Sequence, residues 1–371
     1  MASAPRSGHG AAETGAGAAE TGAGPAAGVT AQRFAPGGPR VIVAGATGFA
    51  GALAAHLLWR HPDFELVAVT GRSELGTPLG ELYPRYRVPL AIEQLDAERL
   101  ERIDGAVVAY PHAAAAPTVG ELRERGVRVV DLSADFRLGS LATYERWYGP
   151  HPRAELLERA VYGLTELHRE QIAGAGIVAN PGCYPTASLL ALAPLARAGL
   201  IADVVIDAKQ GISGAGRVFD HTTHLSMAGE NIVPYKVAAH RHTPEIEEQL
   251  DALDPARREL AVQLQTHLVP LDQGELVSCY VTVTRALDPA ELRELYERAY
   301  AGEPFVELVR EPPGVLEVRE TNYCRVFAAL DGHTGKVIAF GALDNLWKGT
   351  SSQAVQNLNL MFGLPETRGL V

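Results

Sequence analysis

The residues at 180–186, Asn-Pro-Gly-Cys-Tyr-Pro-Thr, set a single cysteine, Cys183, just past a tight Pro-Gly turn. Residues 187–198, rich in alanine and leucine and followed by Gly199, predict a helix that begins at or near this thiol. A helix N-terminus carries partial positive charge, so the thiol is expected to ionise more readily and to act as a nucleophile toward a carbonyl. A second group lies at 239–246, where His240, Arg241, His242 and Glu245 fall within six residues. There Thr243 can cap a helix with Pro244 at its first position, and Glu245 then stands in the first turn. Such a cluster can give a proton to a carbonyl oxygen and positive charge to an anion. It also fits a polar surface turn or, with Cys183, a zinc site, although no second cysteine lies at ligand spacing.

The third group is glycine-rich. Gly45, Ala46, Thr47, Gly48, Phe49, Ala50 and Gly51 form G-x-x-G-x-x-G between an apolar β-branched run (residues 40–44) and a helical run (52–58). That context fits a dinucleotide loop, whose amides and helix N-terminus meet a pyrophosphate. After the next apolar run (65–69) the chain has Arg72 and Ser73 instead of an acidic residue, which suits the 2′-phosphate of NADP(H). Ser213 and Gly214, in a loop that ends in Arg217, can cradle a phosphate or a nicotinamide carboxamide. Asn345 and Lys348 precede a helix predicted over 353–361 and offer another anion site.

These groups need a scaffold, and the 371-residue chain is long enough for two domains, with 47% hydrophobic residues. The first 36 or so residues repeat A-A-E-T-G-A-G and hold no aliphatic residue larger than alanine before Val29, so they read as a disordered tail without an apolar signal region. Beyond it, strands alternate with helices up to residue 132, as in a doubly wound parallel sheet. Strand candidates at 204–207, 261–265, 276–283 and 326–330, with an amphipathic helix at 288–300, give a second domain of α+β type with a mixed sheet. Cys279, alternating within one of those strands, is expected in the core. The fold expected is therefore α/β: a Rossmann-type NADP domain (37–182 and 343–371) and a catalytic and dimerisation domain (183–342). Net charge is −11 without a basic block, which argues against nucleic acid or an anionic membrane as partner. Three cysteines without framework spacing suggest a reducing compartment, and no apolar run reaches membrane-spanning length.

A thiol nucleophile, a nicotinamide site and a His/Arg cluster together describe interconversion of an aldehyde and an acyl group through a thiohemiacetal and a thioester. The arginines and amide-rich loops favour an acyl phosphate as the partner. The motifs at 45–51, 131–137, 180–186, 213–217, 240–246 and 344–350 make the chain, from about residue 39 onward, similar to the N-acetyl-gamma-glutamyl-phosphate reductases. These belong to arginine biosynthesis and to the aspartate-semialdehyde dehydrogenase superfamily. The resemblance implies NADPH-dependent reduction of N-acetyl-L-glutamyl 5-phosphate to the 5-semialdehyde with release of inorganic phosphate. It makes Cys183 the nucleophile and gives the acid/base group to the paired-histidine motif; of the two, His242 is preferred to His240 because it lies closer to the capped helix start, with Glu245 orienting the imidazole. Ser133, Tyr184, Arg217 and Arg241 become candidate substrate contacts. It further implies a last helix that returns to the cofactor domain and a homodimer or homotetramer; the cysteine usage points to the cytoplasm and the ligand spacing to no metal. Two positions depart from the family's habit. Gln210 stands where serine is common, altering a loop contact, and Ala113 replaces a common glycine, which stiffens its loop. Related readings are a reductase for the one-carbon-longer N-acetyl-aminoadipyl phosphate, or a carrier-linked version, of lysine synthesis, and a non-catalytic NADP(H)-binding regulator. A zinc hydrolase built on Cys183, His240 and His242 is the remaining reading.

Overall fold

Four consecutive buried apolar residues in β1 (Arg40–Ala44) mark a strand covered on both faces, and β1 lies inside a parallel sheet. The structure, a computed structural model, describes residues 37–96, 102–217, 221–256 and 259–371; the repetitive segment expected to be a disordered tail lies outside them. The first sheet also contains β2 (Glu65–Thr70), β3 (Ile92–Glu93), β4 (Gly105–Val108), β5 (Arg128–Asp131), β6 (Ala160–Tyr162) and β7 (Ile177–Ala179), all paired in parallel. Its order is β3-β2-β1-β4-β5-β7-β6, so the chain reverses direction across the sheet between β1 and β4. A crevice opens at such a reversal beyond the strands' carboxyl ends, the usual ligand position of a doubly wound sheet. Helices α1 (Phe49–Arg60), α2 (Leu79–Leu82), α3 (Ala116–Glu124), α4 (Leu141–Tyr148) and α5 (Thr165–Ala173) alternate with the strands.

The second sheet is mixed. Its members are β8 (Ile201–Gly211), β9 (Val233–Tyr235), β10 (Val262–Val269), β11 (Glu275–Val283), β12 (Val306–Leu308), β13 (Cys324–Leu330) and β14 (Val337–Leu343), in the order β12-β13-β14-β11-β8-β10-β9. Strand β8 runs well beyond the four residues expected. Its alternation continues through Asp207 and Lys209, which pair at 2.6 Å away from the face carrying Val204, Ile206 and Ala208. Helix α6 (Cys183–Arg197) packs on that inner face and is buried all round from Tyr184 to Ala196, as expected of a core helix. It approaches the sheet closely at Gly341, where a Cβ would lie 2.5 Å from the Ala187 carbonyl oxygen. The predicted stop is observed, with Gly199 in the left-handed region at φ 65°. Cys279 is fully buried among the residues of this core. Helices α7 (Leu225–Ala228), α8 (Thr243–Leu253), α9 (Pro289–Tyr300) and α10 (Ser352–Met361) complete the described α-helices. Helix α10 returns to the first sheet, where Val355, Leu358 and Met361 share a core with Leu53 and Leu58 of α1. Among the described residues no helix is long and apolar enough to cross a membrane.

Candidate active site

Cys183 is the first residue of α6, with Gly182 at the cap position, as the sequence predicts. The turn before it is clamped from several sides. Glu245 accepts the Gly182 N–H at 2.9 Å and the Tyr162 hydroxyl at 2.9 Å, and pairs with Arg137 at 3.4 Å. Arg137 in turn donates to the carbonyls of Asn180 (2.8 Å) and Leu132 (2.7 Å). Glu245 was expected to orient a histidine. Its oxygens instead hold the thiol turn, because α8 docks its first turn directly beneath Gly182. Thr243, expected as the cap, is already helical, and the cap position falls to His242.

The Cys183 sulfur accepts a hydrogen bond from Gln210 Nε2 at 3.0 Å. Gly214 permits this contact, since a Cβ there would overlap the Gln210 amide. Although the residue keeps some solvent exposure, its sulfur is surrounded by dense protein. Burial and the neighbouring Glu275 push the thiol pKa well up. That corrects the expectation drawn from the helix dipole: desolvation of a thiolate outweighs a partial charge at the helix end. At rest the sulfur keeps its proton.

His242 sits against the turn, with its Nε2 2.5 Å from where a Gly182 Cβ would be, and its buried Nδ1 has no hydrogen-bond partner. His240 lies behind it, 4.8 Å between ring centroids, and accepts the His242 backbone N–H at Nδ1 (3.1 Å). Burial lowers both imidazole pKa values, His240 to about 3 with help from Lys236 and Arg241, so both rings are neutral near pH 7. Arg241 is exposed, its guanidinium stacked 5.2 Å over the Tyr148 ring. Lys236, which the sequence did not single out, is exposed on the same side. Together they form a cationic rim around neutral imidazoles.

The glycine loop has the shape a dinucleotide requires. Gly45 is left-handed (φ 91°), and a Cβ on it would lie 2.7 Å from the Ala109 carbonyl. A Cβ on Gly51 would overlap the Gly45 carbonyl oxygen, whereas one on Gly48, at the cap of α1, would meet only that oxygen at 3.9 Å. The first and third glycines therefore serve packing and the second leaves room for a ligand's phosphates. Ala46 is buried and its N–H donates to the Thr70 carbonyl at 2.9 Å; Phe49 packs edge-on against Tyr83. Arg72 and Ser73 are exposed at the end of β2. Arg72 stacks 4.7 Å over the Tyr110 ring, and among the described residues no carboxylate pairs with it.

The span at 349–351 joins this loop to the thiol. A Cβ on Gly349 would lie 2.9 Å from that of Cys183, the Thr350 carbonyl accepts from Asn180 Nδ2 (3.0 Å), and Ser351 Oγ donates to the Ala50 carbonyl (2.9 Å). Ala113 is left-handed at φ 62°, where an alanine costs about 1–2 kcal/mol more than a glycine; its N–H is held by Asp135 at 2.7 Å.

Other expected contacts are engaged inside the protein. Lys348 is fully buried and bonded to Glu166 (2.6 Å) and Gln356 (2.8 Å), so it cannot meet a ligand phosphate. Asn345 Oδ1 accepts the Gly274 N–H (2.8 Å) and its Nδ2 donates to Ser213 Oγ (3.1 Å), while Ser213 donates to the Asp272 carbonyl (2.6 Å). Ser133 gives its hydroxyl to Asp131 at 2.6 Å and is buried, and Tyr184 is a buried wall whose hydroxyl meets Tyr235 at 2.9 Å. Both hydroxyls are thus taken up by protein partners. Arg217, expected at the substrate, points to the glycine loop, donating to the Thr47 carbonyl (3.4 Å) and pairing with Glu74 (3.3 Å).

The residue most plainly missed is Glu275, buried beside the thiol with its pKa lifted by burial to about 8. A signal for it existed. In a strand, residue 275 has the parity of 279, and Cys279 was already expected in the core.

Residues 40–175 match the family model described as semialdehyde dehydrogenase, NAD binding domain, and residues 183–345 the model described as its dimerisation domain. The N-acetyl-gamma-glutamyl-phosphate reductase of Desulforudis audaxviator is 50% identical over 342 residues, covering 90% of this chain and 98% of its own. That of Moorella thermoacetica is 48% identical over 338 residues, covering 88% and 96%. Among solved structures, aspartate semialdehyde dehydrogenase II of Vibrio cholerae superposes with a TM-score of 0.67 at 18% identity, covering 88% of this chain and 98% of that one. The aspartate semialdehyde dehydrogenase of Candida albicans, solved with NADP, gives 0.63 at 16%, covering 88% and 98%. The two-domain architecture, the thiol turn and these relatives agree: the chain belongs to the N-acetyl-gamma-glutamyl-phosphate reductase family.

Proposed function

We propose that the chain reduces N-acetyl-L-glutamyl 5-phosphate to N-acetyl-L-glutamate 5-semialdehyde with NADPH, releasing inorganic phosphate. The observation that carries this reading is the short span 349–351, which touches Cys183 at one end and the dinucleotide loop at the other. A thioester formed on Cys183 thereby lies next to the cofactor crevice. Cys183 attacks the acyl carbon and phosphate leaves with the C–O bond pair. His242 is the acid/base group for the carbonyl oxygen, supported by its free Nδ1 and its place against Gly182. Arg241 and Lys236 offer charge for the substrate's carboxylate and phosphate. A dinucleotide held through its phosphates by the glycine loop would supply the hydride from its nicotinamide. Gly214, an exposed backbone position against the Gln210 amide, is the loop contact we assign to the cofactor.

The sequence of domains that fits this reading is 37–182 with 343–371 for the cofactor and 183–342 for catalysis and dimerisation, supported by the return of α10 to α1. A homodimer or homotetramer is the assembly we infer. Three free thiols fit the reducing cytoplasm.

The test is reverse turnover: NADP+ reduction with N-acetyl-L-glutamate 5-semialdehyde, with and without phosphate, beside the one-carbon-longer aldehyde. Turnover is expected only with phosphate, and kcat/KM should favour the shorter aldehyde by about 10–200-fold, the worth of one methylene. Phosphate-independent turnover would mean a hydrolytic dehydrogenase, and preference for the longer aldehyde a lysine-pathway enzyme. The choice of NADP(H) rests on Arg72. A charge-assisted contact to a 2′-phosphate is worth about 1.5–3 kcal/mol, so Arg72→Ala should raise KM for NADPH about 10–100-fold and leave KM for NADH unchanged. Equal effects on both nucleotides would remove Arg72 from that role.

A further inference from the structure

Glu275 opens β11 directly across from Gln210 of β8 on one side and Leu343 of β14 on the other. It shares the inner face with Val277, Cys279 and Val281, all buried, beneath the N-terminal end of α6. A carboxyl at such a position is costly, since burying it without donors takes several kcal/mol. Yet neither oxygen receives an N–H or O–H from any described residue. The donor that faces it is the Cys183 S–H, close enough for each group to shift the other's pKa. On the opposite flank, Gln210 fixes the same sulfur at 3.0 Å. The thiol is thus held between an amide donor and a carboxyl that no N–H or O–H reaches, with His242 against Gly182.

We propose that Glu275 is the proton acceptor of the Cys183 thiol, with Gln210 as the residue that positions the sulfur. The inference rests on the reductase reading for its chemical steps. The S–H bond breaks as its proton passes to a Glu275 oxygen, and the freed sulfur pair forms the S–C bond to the acyl carbon while phosphate departs. After hydride delivery to the thioester, the C–S bond breaks with its pair on sulfur and the aldehyde leaves. The proton held on Glu275 then returns to sulfur, so Glu275 consumes none over the cycle. His242 is left to serve the carbonyl oxygen. Other ionisable groups facing the pair are Asp344, Cys324, Tyr184, Tyr235 and Lys236. Burial holds the thiol high and places Glu275 at about 8, so the first proton leaving on a rise in pH belongs to the pair.

The experiment is the pH profile of iodoacetamide alkylation at Cys183, read by mass spectrometry of its peptide, in wild type and Glu275→Gln. Wild type should show two rises, the first centred at about 8, and a second at higher pH where both groups are ionised. Glu275→Gln should lose the first rise and react at least about tenfold more slowly at pH 9. A variant that reacts equally fast or faster overturns the proposal, because the carboxylate would then merely repel the thiolate. Should the variant not fold, single-turnover phosphate release by wild type from N-acetyl-L-glutamyl 5-phosphate must show the same first rise; a flat profile from pH 6 to 9 overturns it. Alkylation requires neither substrate nor cofactor. Its outcome is therefore independent of the reverse-turnover assay that tests the reductase reading.

Discussion

Cys183→Ser is expected to lower phosphate-dependent turnover at least about a thousandfold while nucleotide binding stays intact, a loss of about 4 kcal/mol in transition-state stabilisation. The site is arranged for sulfur. Gln210 donates to it at 3.0 Å, and burial already opposes ionisation of the thiol. A serine hydroxyl starts far higher in pKa, and its ester is a poorer acceptor for hydride than a thioester. Because serine is no larger than cysteine, the packing against Gly349 should persist. Stopped-flow NADP+ reduction gives the rate and fluorescence titration gives nucleotide affinity. Loss of both would indicate a collapsed site, and a variant that retained a tenth of wild-type turnover would exclude the covalent route.

What could be read in the sequence was what the chain writes locally. The glycine loop, the thiol turn and the helix after it are each contained in a few consecutive residues, and their geometry follows from turn and cap chemistry. What escaped was set by distant partners. Gln210 and Glu275 face one another only through the register of β8 and β11. Glu245 meets the thiol turn 63 positions away along the chain. The direction of the Cys183 pKa shift was misjudged for a related reason. A helix dipole is visible in a dozen residues, whereas burial by two sheets and a second helix is not. Ser133, Tyr184 and Asn345 look like ligand contacts in sequence because they are polar residues in the family's motifs. In the fold Ser133 bonds Asp131, Tyr184 bonds Tyr235, and Asn345 bonds Ser213 and the Gly274 N–H.

Lys348 shows what such a misreading costs and how it can be tested. A lysine in a glycine-containing helix entry reads as an anion site, but its ammonium lies fully buried, 2.6 Å from Glu166, a residue 182 positions earlier. Both side chains are out of water, so each depends on the other. Lys348→Met removes one charge and leaves Glu166 buried, with one of its oxygens already lacking a partner. Breaking a buried pair in this way costs about 3–5 kcal/mol. For a chain of this size that is expected to lower the melting temperature by about 4–7 °C. The double variant Lys348→Met with Glu166→Met should recover most of the loss, because an apolar pair of similar volume avoids the desolvation that two charges require. Thermal melts of the four proteins provide the coupling energy, and KM for NADPH in the single variant should match wild type. The reverse pattern, unchanged melting with weakened nucleotide binding, would return Lys348 to the cofactor. The geometry opposes that pattern, since a lysine that reached a phosphate would have to abandon Glu166 in the core.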